Sequence, residues 1–417
     1  MIKIIPLSEV CEQIVDCPHE SPIWRRDGVP VIRNFNLVNG QIDLSDKYCV
    51  DEETYIKRTR RIIPIENDII FSREAPIGNC AIIPRNFKCC LGQRLVLLRV
   101  NKKVCSPQYL LMVLLSDYIK KQIEQIAKTG SIVSNFNIRD LNSLMIPIID
   151  EQEKLAIFCN WLNTKININT QINNNLEELM KTLYQRWFIE FNFPNEEEKP
   201  YKASGGKMIY NKELKQEIPN NWCVETLYNN RLTTFVENGV EYFESKEYLA
   251  TGDVDGTEIV SSSIIDYETR ESRANIQPQE NTVWFAKMKN SIKHLYFGDY
   301  SQEMIDKYIL STGFCGLKCE SDYFEYINSF INSDYFEIHK DVLAHGATQE
   351  AVNNTDLKGI KLIIPSIDIL KKYHDEAYSA FEKIYYNKLE NQKLTSLRNF
   401  LLPMLMNGQI NVDDIKI

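Results

Sequence analysis

The chain has little of what announces a catalyst. Its five histidines, at positions 19, 294, 339, 345 and 374, are scattered, and none stands at a recognisable spacing from a nucleophile. There is no Walker loop, G-x-G-x-x-G, G-x-S-x-G, H-E-x-x-H or Asn-Pro-Pro-Tyr motif, which removes the commonest nucleotide, hydrolase, zinc and amino-methylation chemistries. Gly205-Gly206-Lys207 lacks the rest of a phosphate loop and reads as linker. Long apolar runs are missing too. The longest, around Leu110 to Leu115, is far too short to span a bilayer, so no membrane association is expected. The start, Met1 to Pro6, has neither the apolar core nor the small-residue cleavage site of a signal peptide. The eleven cysteines are odd in number and show no framework spacing. Cys89-Cys90 and Cys315/Cys319 have no second pair at zinc-site distance, so free buried thiols in a reducing cytoplasm are expected, and no metal.

What is present is ordinary globular material: 417 residues, 44% hydrophobic and 25% charged, enough for two or three domains. The net charge of −9 argues on its face against a nucleic-acid binder, which is normally basic. That charge is unevenly spread. Residues 1–150 carry 20 Lys+Arg against 17 Asp+Glu, whereas residues 251–350 carry 8 against 17. Total charge is therefore a poor guide to any local surface.

The strongest signal is a repeat. With a shift of 218 and no gaps, residues 144–183 match 362–401 at thirteen of forty positions, including Lys165/Lys383, Ile166/Ile384, Asn169/Asn387, Leu176/Leu394, Leu179/Leu397 and Leu183/Leu401. Upstream, Pro64-x-Glu66-Asn67-x-x-x-Phe71-x-Arg73 answers to Pro278-x-Glu280-Asn281-x-x-x-Phe285-x-Lys287. Tyr109 and Ser116-Asp117-Tyr118 answer to Tyr326 and Ser333-Asp334-Tyr335. Small changes of offset are what insertions in loops produce, so the chain reads as a tandem duplication.

Each copy has two parts. In the first, short apolar runs such as Ile69 to Phe71, Cys80 to Ile83, Arg94 to Leu98 and Val283 to Phe285 read as strands. Pro107 to Ala127 and Tyr323 to Leu343 read as helices, giving an α+β globule. In the second part, residues 151–188 contain no Pro or Gly, and apolar residues recur at three and four, as one face of a long helix requires. Asp150 and Asp368 stand where an N-cap is expected. The apolar stripe, with Leu162, Ile166, Leu176, Leu179, Leu183 and Trp187 in the first helix and Ile384, Leu394, Leu397 and Leu401 in the second, predicts coiled-coil or partner packing. Expected boundaries are 1–149 and 222–367 for the globules, 150–194 and 368–408 for the helices, 195–221 for a flexible linker and 409–417 for a tail.

In this arrangement the chain resembles the DNA-specificity subunit of type I restriction–modification systems. The resemblance rests on ordered short motifs covering nearly the whole chain: Leu7-x-x-Val10-Cys11-Glu12-x-Ile14 with Cys17-Pro18-His19-x-Ser21-Pro22; Gly130-Ser131-Ile132-x-x-Asn135-Phe136; Leu141-x-x-Leu144-x-Ile146-Pro147 and Glu151-Gln152. The second copy has Ile218-Pro219-x-x-Trp222, Gly346-Ala347-Thr348-Gln349, Asp356-Leu357 and Ile364-Pro365, with Ile369-Leu370 where the first has Glu151-Gln152. The resemblance implies two tandem α/β target-recognition domains separated by two long antiparallel coiled-coil helices, with a pseudo-twofold internal repeat. It implies binding of double-stranded DNA at a bipartite target, one half-site per domain. Two adenine-methyltransferase subunits and restriction/translocase subunits would be the partners. S-adenosylmethionine, ATP and Mg would be used by those partners and no cofactor by this chain, which would itself be no enzyme. A methylation-only system, or a non-DNA coiled-coil scaffold, are the competing readings.

Phosphate contacts need Arg, Lys or small polar donors, and base contacts favour Arg, Asn and Gln. On that basis the candidates in the first copy are Lys57, Arg58, Arg60 and Arg61, then Arg25, Arg26, Arg33, Asn34, Arg73 and Arg94. In the second copy they are Lys287, Lys289, Asn290 and Lys293. Ser131, Thr348 and Gln349 fall on the boundary motif, as caps or DNA contacts. Arg73 and Lys287 occupy the same place in the repeat. Solvated surface or salt bridges are the competing reading for each.

Overall fold

The duplication is one of topology as well as sequence. The computed structural model describes residues 2–74, 76–129, 136–346 and 349–406, together with Gln409. It divides into two units, one formed by residues 1–169 with 389–417, the other by 170–388.

In the first unit a four-stranded antiparallel sheet runs Cys11–Asp16, Leu95–Val100, Ile69–Ser72, Cys80–Ile82. In the second unit the order Thr233–Phe235, Phe314–Cys319, Thr282–Ala286, His294–Phe297 repeats it, again antiparallel throughout. Period-two alternation buries both faces of the first sheet. Ile69, Phe71, Val96 and Leu98 enter one core with the helix Pro107–Leu115, while Ile70, Leu95 and Leu97 enter another. A second sheet in each unit carries a parallel pair, Val29–Ile32 beside Cys90–Leu91 and Lys246–Leu249 beside Tyr308–Ser311. Each unit also closes with a two-stranded ladder, Lys3–Pro6 on Met145–Ile148 and Cys223–Thr226 on Lys361–Ile364. Tyr109 donates its hydroxyl to the Pro147 carbonyl at 2.7 Å, and its repeat partner Tyr326 to that of Ile363 at 2.5 Å, so a buried phenol is paired the same way twice.

Several expectations need correction. Each predicted upstream helix is two: Pro107–Leu115 and Asp117–Thr129, then Phe324–Ile331 and Asp334–Leu343. The break falls at the repeated Ser-Asp. Ser116 is extended, and the Ser333 hydroxyl accepts the Phe336 N–H as an N-cap, so a new helix starts there. The expected linker is structured. Residues Met208–Asn211 and Gln216–Pro219 form a hairpin, and Phe193 is sandwiched between the rings of Tyr201 at 4.6 Å and Trp222 at 4.9 Å. Gly206 is fitted to that packing, since a Cβ there would lie 2.5 Å from the Tyr201 ring.

The first long helix is Gln152–Tyr184, about 50 Å at 1.5 Å per residue, and it runs on into a π-turn at Gln185–Ile189. The second is Ile367–Met406. Its N-cap position is Ser366, whose carbonyl accepts from Ile369 and Leu370, so Asp368 lies in the first turn and is no cap. The helices start within two residues of the expected edges at 149/150 and 367/368, and each of the two units contains part of both helices. Within each unit the two halves run antiparallel. In the first, Asn163 meets Arg398 while Asn169 meets Asn391; in the second, Asn173 meets Asn387 while Trp187 meets Tyr373.

The stripe picked from spacing is only partly the packed seam. Leu162 and Ile384 are buried; Ile166, Leu176, Leu183, Leu394 and Leu401 are half-buried. Leu179 and Leu397, equivalent in the repeat, are 56% and 43% exposed and do not pack in the seam. Trp187 is buried against Tyr373 and Phe188, so it is helix packing inside this chain and offers no surface to a partner. Asparagines 169, 173 and 387 are buried in the seam as well. Asn169 donates to Asn391 at 3.0 Å, and Asn387 donates to Asn173 at 2.8 Å, two bonds related by the 218-residue shift.

Candidate nucleic-acid interface

In the first unit the basic run Lys57–Arg61 closes the helix Glu52–Arg58, whose N-cap is Asp51. Hydrogen bonds from Thr54 hold the Asp51 carboxyl below its ordinary range. At the other end of this helix Arg58 turns inward. It donates to the carbonyls of Leu91 at 2.7 Å, Glu20 at 2.7 Å and Pro18 at 3.4 Å, and it is buried. Arg58 is therefore no surface contact: its guanidinium ties the loop at Pro18 and Glu20 and the strand Cys90–Leu91 to the helix. Lys57 pairs with Glu20 at 3.2 Å and Arg25 with Asp51 at 3.3 Å, both exposed. Arg94 is exposed, with a positive φ, and its Nε lies 2.7 Å from Glu74. Arg26, Arg60 and Arg61 are exposed, and among the described residues their side chains have no partner. Asn34 opens the short 3-10 turn Asn34–Asn36.

Arg73 and Lys287 do share a place in the fold. The Arg73 N–H bonds the Arg94 carbonyl and its own carbonyl accepts from Phe136; the Lys287 N–H bonds Gly313 and its carbonyl accepts from Val352. Their side chains, however, do structural work. Arg73 is buried, 3.5 Å from Asp16, and Lys287 gives its ammonium to the Thr312 carbonyl at 3.1 Å. Arg73 is thereby corrected as a surface contact.

The rest of the second-copy cluster is likewise engaged. Lys293 donates to the Thr251 carbonyl at 2.6 Å, Lys289 pairs with Glu350 at 2.8 Å, and the Asn290 N–H bonds Asp341. Asn290 has a φ of 55°, a turn position. Gln349 is exposed beside Glu350. Ser131 and Thr348 lie outside the described residues. Of the candidate cations, those left exposed without a partner among the described residues, Arg26, Arg60 and Arg61, lie in the first unit.

Sequence reasoning missed the aromatic residues around these cations. Arg33 lies over the rings of Trp24, Phe35 and Tyr48. In the second unit Arg270 lies 4.1 Å over Tyr267, which packs 5.5 Å from Tyr242. Arg270 and Tyr267 are neighbours in one turn, but Trp24, Phe35 and Tyr48 come from separate segments at spacings that follow no period, so only the fold brings them to Arg33.

No group of three or more His, Cys, Asp or Glu among the described residues is placed to hold a metal ion. All eleven cysteines are free, and burial pushes thiols such as Cys11, Cys89 and Cys105 up to about 12. No helix among the described residues is long and apolar enough to cross a membrane.

Two units of one strand order, each containing part of two long helices, define the class: a tandemly duplicated α+β protein. Comparison with known proteins shows what it is similar to. Residues 2–178 match the family described as the type I restriction modification DNA specificity domain. The chain is 25% identical over 376 residues to the type I restriction enzyme MjaIX specificity subunit of Methanocaldococcus jannaschii, covering 88% of this chain and 82% of that one. It is 23% identical over 453 residues to the HindI specificity subunit of Haemophilus influenzae, covering 93% and 97%. Its fold is similar to that of the type I restriction-modification S subunit from M. genitalium, with a TM-score of 0.56 at 14% identity, covering 96% and 95%. Along most of its length the chain is thus similar to type I restriction–modification specificity subunits, and its residues 2–178 match their DNA specificity domain.

Proposed function

We propose that this chain selects the DNA target of a type I restriction–modification complex, each of its two units reading one half of a split sequence. The observation that carries this reading is the pair of units with one strand order and different residues on it: Arg33 over Trp24, Phe35 and Tyr48 in one, Arg270 over Tyr267 in the other. Two half-sites of different sequence call for two such different surfaces on one scaffold. Two adenine-methyltransferase subunits using S-adenosylmethionine, and restriction/translocase subunits using ATP and Mg, would supply the chemistry in the cytoplasm, with this chain holding no cofactor of its own. The exposed leucines 179 and 397, with Ile168 and Tyr386, again related by the 218-residue shift, would face those partners. The acidic second unit would gain much of its phosphate-neutralising charge from them.

Methylome sequencing with and without the gene tests the proposal. A split adenine-methylated motif should vanish on deletion and return on complementation. If every methylated motif survives deletion, the chain directs no modification.

A further inference from the structure

Among the cations of the first unit, Arg33 is set apart by what holds it. Its guanidinium carbon lies 4.8 Å from the ring centre of Phe35, 4.9 Å from that of Tyr48 and 5.7 Å from that of Trp24. The rings brace one another edge to face, Trp24 on Tyr48 at 5.2 Å and Phe35 on Tyr48 at 6.1 Å. The backbone beneath is pinned as well. The Arg33 N–H donates to the Asn36 side chain at 3.0 Å, and buried Asn36 donates in turn to the carbonyls of Asp43 and Asp46 at 2.7 and 3.0 Å.

Other arginines of this unit give their N–H groups to protein acceptors: Arg25 to Asp51, Arg58 to backbone carbonyls, Arg94 to Glu74 and Arg99 to Asp68. Among the described residues the Arg33 side chain has no such acceptor. A guanidinium stacked on rings keeps its N–H edges available and its rotamer fixed, so little entropy is lost when it binds. Two parallel N–H donors fit a pair of acceptors on one rigid edge, as in guanine O6 and N7, or two oxygens of a phosphate. The surroundings favour the base. Trp24 and Phe35 leave 40% and 41% of their surface uncovered beside the fork, and such apolar faces suit the floor of a groove better than a hydrated phosphate. Partnerless Arg26, Arg60 and Arg61 are available for the backbone.

We propose that Arg33, positioned by Trp24, Phe35 and Tyr48, reads a guanine in the half-site taken by the first unit. The inference rests on the DNA-specificity reading above. Its test uses the complete complex and begins with the wild-type chain. Guanines of the methylated target are replaced one at a time by 7-deazaguanine, which lacks the N7 acceptor, and binding is compared. One guanine of one half-site should show a loss of about ten-fold or more, and Arg33→Ala should abolish the sensitivity at that position alone. In cells, Arg33→Ala should make that single position degenerate in the methylome, with the other half-site and the spacer unchanged. Arg33→Lys, which keeps the charge without the fork, should do the same in part, and Trp24→Ala should relax the same position more weakly. An intact motif methylated more slowly under Arg33→Ala would mean a phosphate contact and overturn the base reading. So would a wild-type complex insensitive to every 7-deazaguanine. Absence of any split motif with the wild-type chain would instead sink the specificity reading itself.

Discussion

The asparagine seam gives the sharpest energetic test. Asn387 and Asn173 are 1% and 5% exposed, and the Asn387 amide donates to the Asn173 side-chain oxygen at 2.8 Å. Replacing Asn387 by Leu removes the donor and leaves a buried oxygen unpaired, which costs about 1–3 kcal/mol. Asn173→Leu costs a similar amount by stranding the Asn387 amide. Replacing both removes donor and acceptor together and puts apolar groups in their place, which is close to neutral. The double variant should therefore be more stable than the sum of the singles by about 2–6 kcal/mol, so the two losses are not independent. For a unit of this size each single should lower the midpoint by roughly 2–4 °C per kcal/mol. The assay is thermal and urea unfolding of the whole chain, followed by tryptophan fluorescence, for the four members of the cycle. Strict additivity would refute the reasoning, because it would mean that the two amides do not share a buried bond. The retained cost of a polar pair is consistent with its use in setting register and direction between the helices.

Other outcomes follow from particular side chains. Arg58→Ala should destabilise the first unit by about 2–3 kcal/mol in urea unfolding, since it strips buried carbonyls of a charged donor, while Arg60→Ala and Arg61→Ala should stay within about 0.5 kcal/mol and each reduce the salt slope of DNA binding by about one. Equal stability losses at 58, 60 and 61 would contradict the geometry. Leu179→Ser should leave unfolding unchanged within about 0.5 kcal/mol but weaken co-purification of the methyltransferase; unchanged co-purification would remove this face from the interface. The second unit should lose stability as pH rises. His374 is raised above 6.5 by its bond to Glu325, a contribution present below that value and lost as pH climbs through the folded pKa. Glu325 is raised above 4.5 by burial, so its ionisation also favours unfolding as pH increases. His374→Gln should flatten the slope between about pH 5 and 8, and an unchanged slope would exclude the pair as its source. Finally, the buried thiols, held up to about 12 at Cys11, Cys89 and Cys105 by desolvation, should resist an aromatic disulfide reagent until urea is added; fast labelling in buffer would show them open.

Much of the fold was legible because it is written in periodicity. Ile69 to Phe71 and Arg94 to Leu98 alternate as strands must, and Gln152–Tyr184 keeps a helical spacing without Pro or Gly. The division between the two units at 169/170 and 388/389 was not legible, because a helix continues through each point and leaves no break in sequence. The candidate site was legible only as an inventory of cations. Arg58 and Arg60 are indistinguishable in the run Lys57–Arg61, yet one faces three carbonyls and the other solvent.

By itself, then, the sequence determined the duplication, the strand and helix content, the long helices and the family resemblance, since these depend on local pattern and on order along the chain. Tertiary structure decided which cations remain available, which leucines are uncovered and which asparagines are buried. A side chain's part in function depends on the atoms it meets, and those come from strands and loops far away in sequence. Arg33 acquires its aromatic setting only when the turn after Val29–Ile32 is brought against the strand Tyr48–Val50 and the segment bearing Trp24.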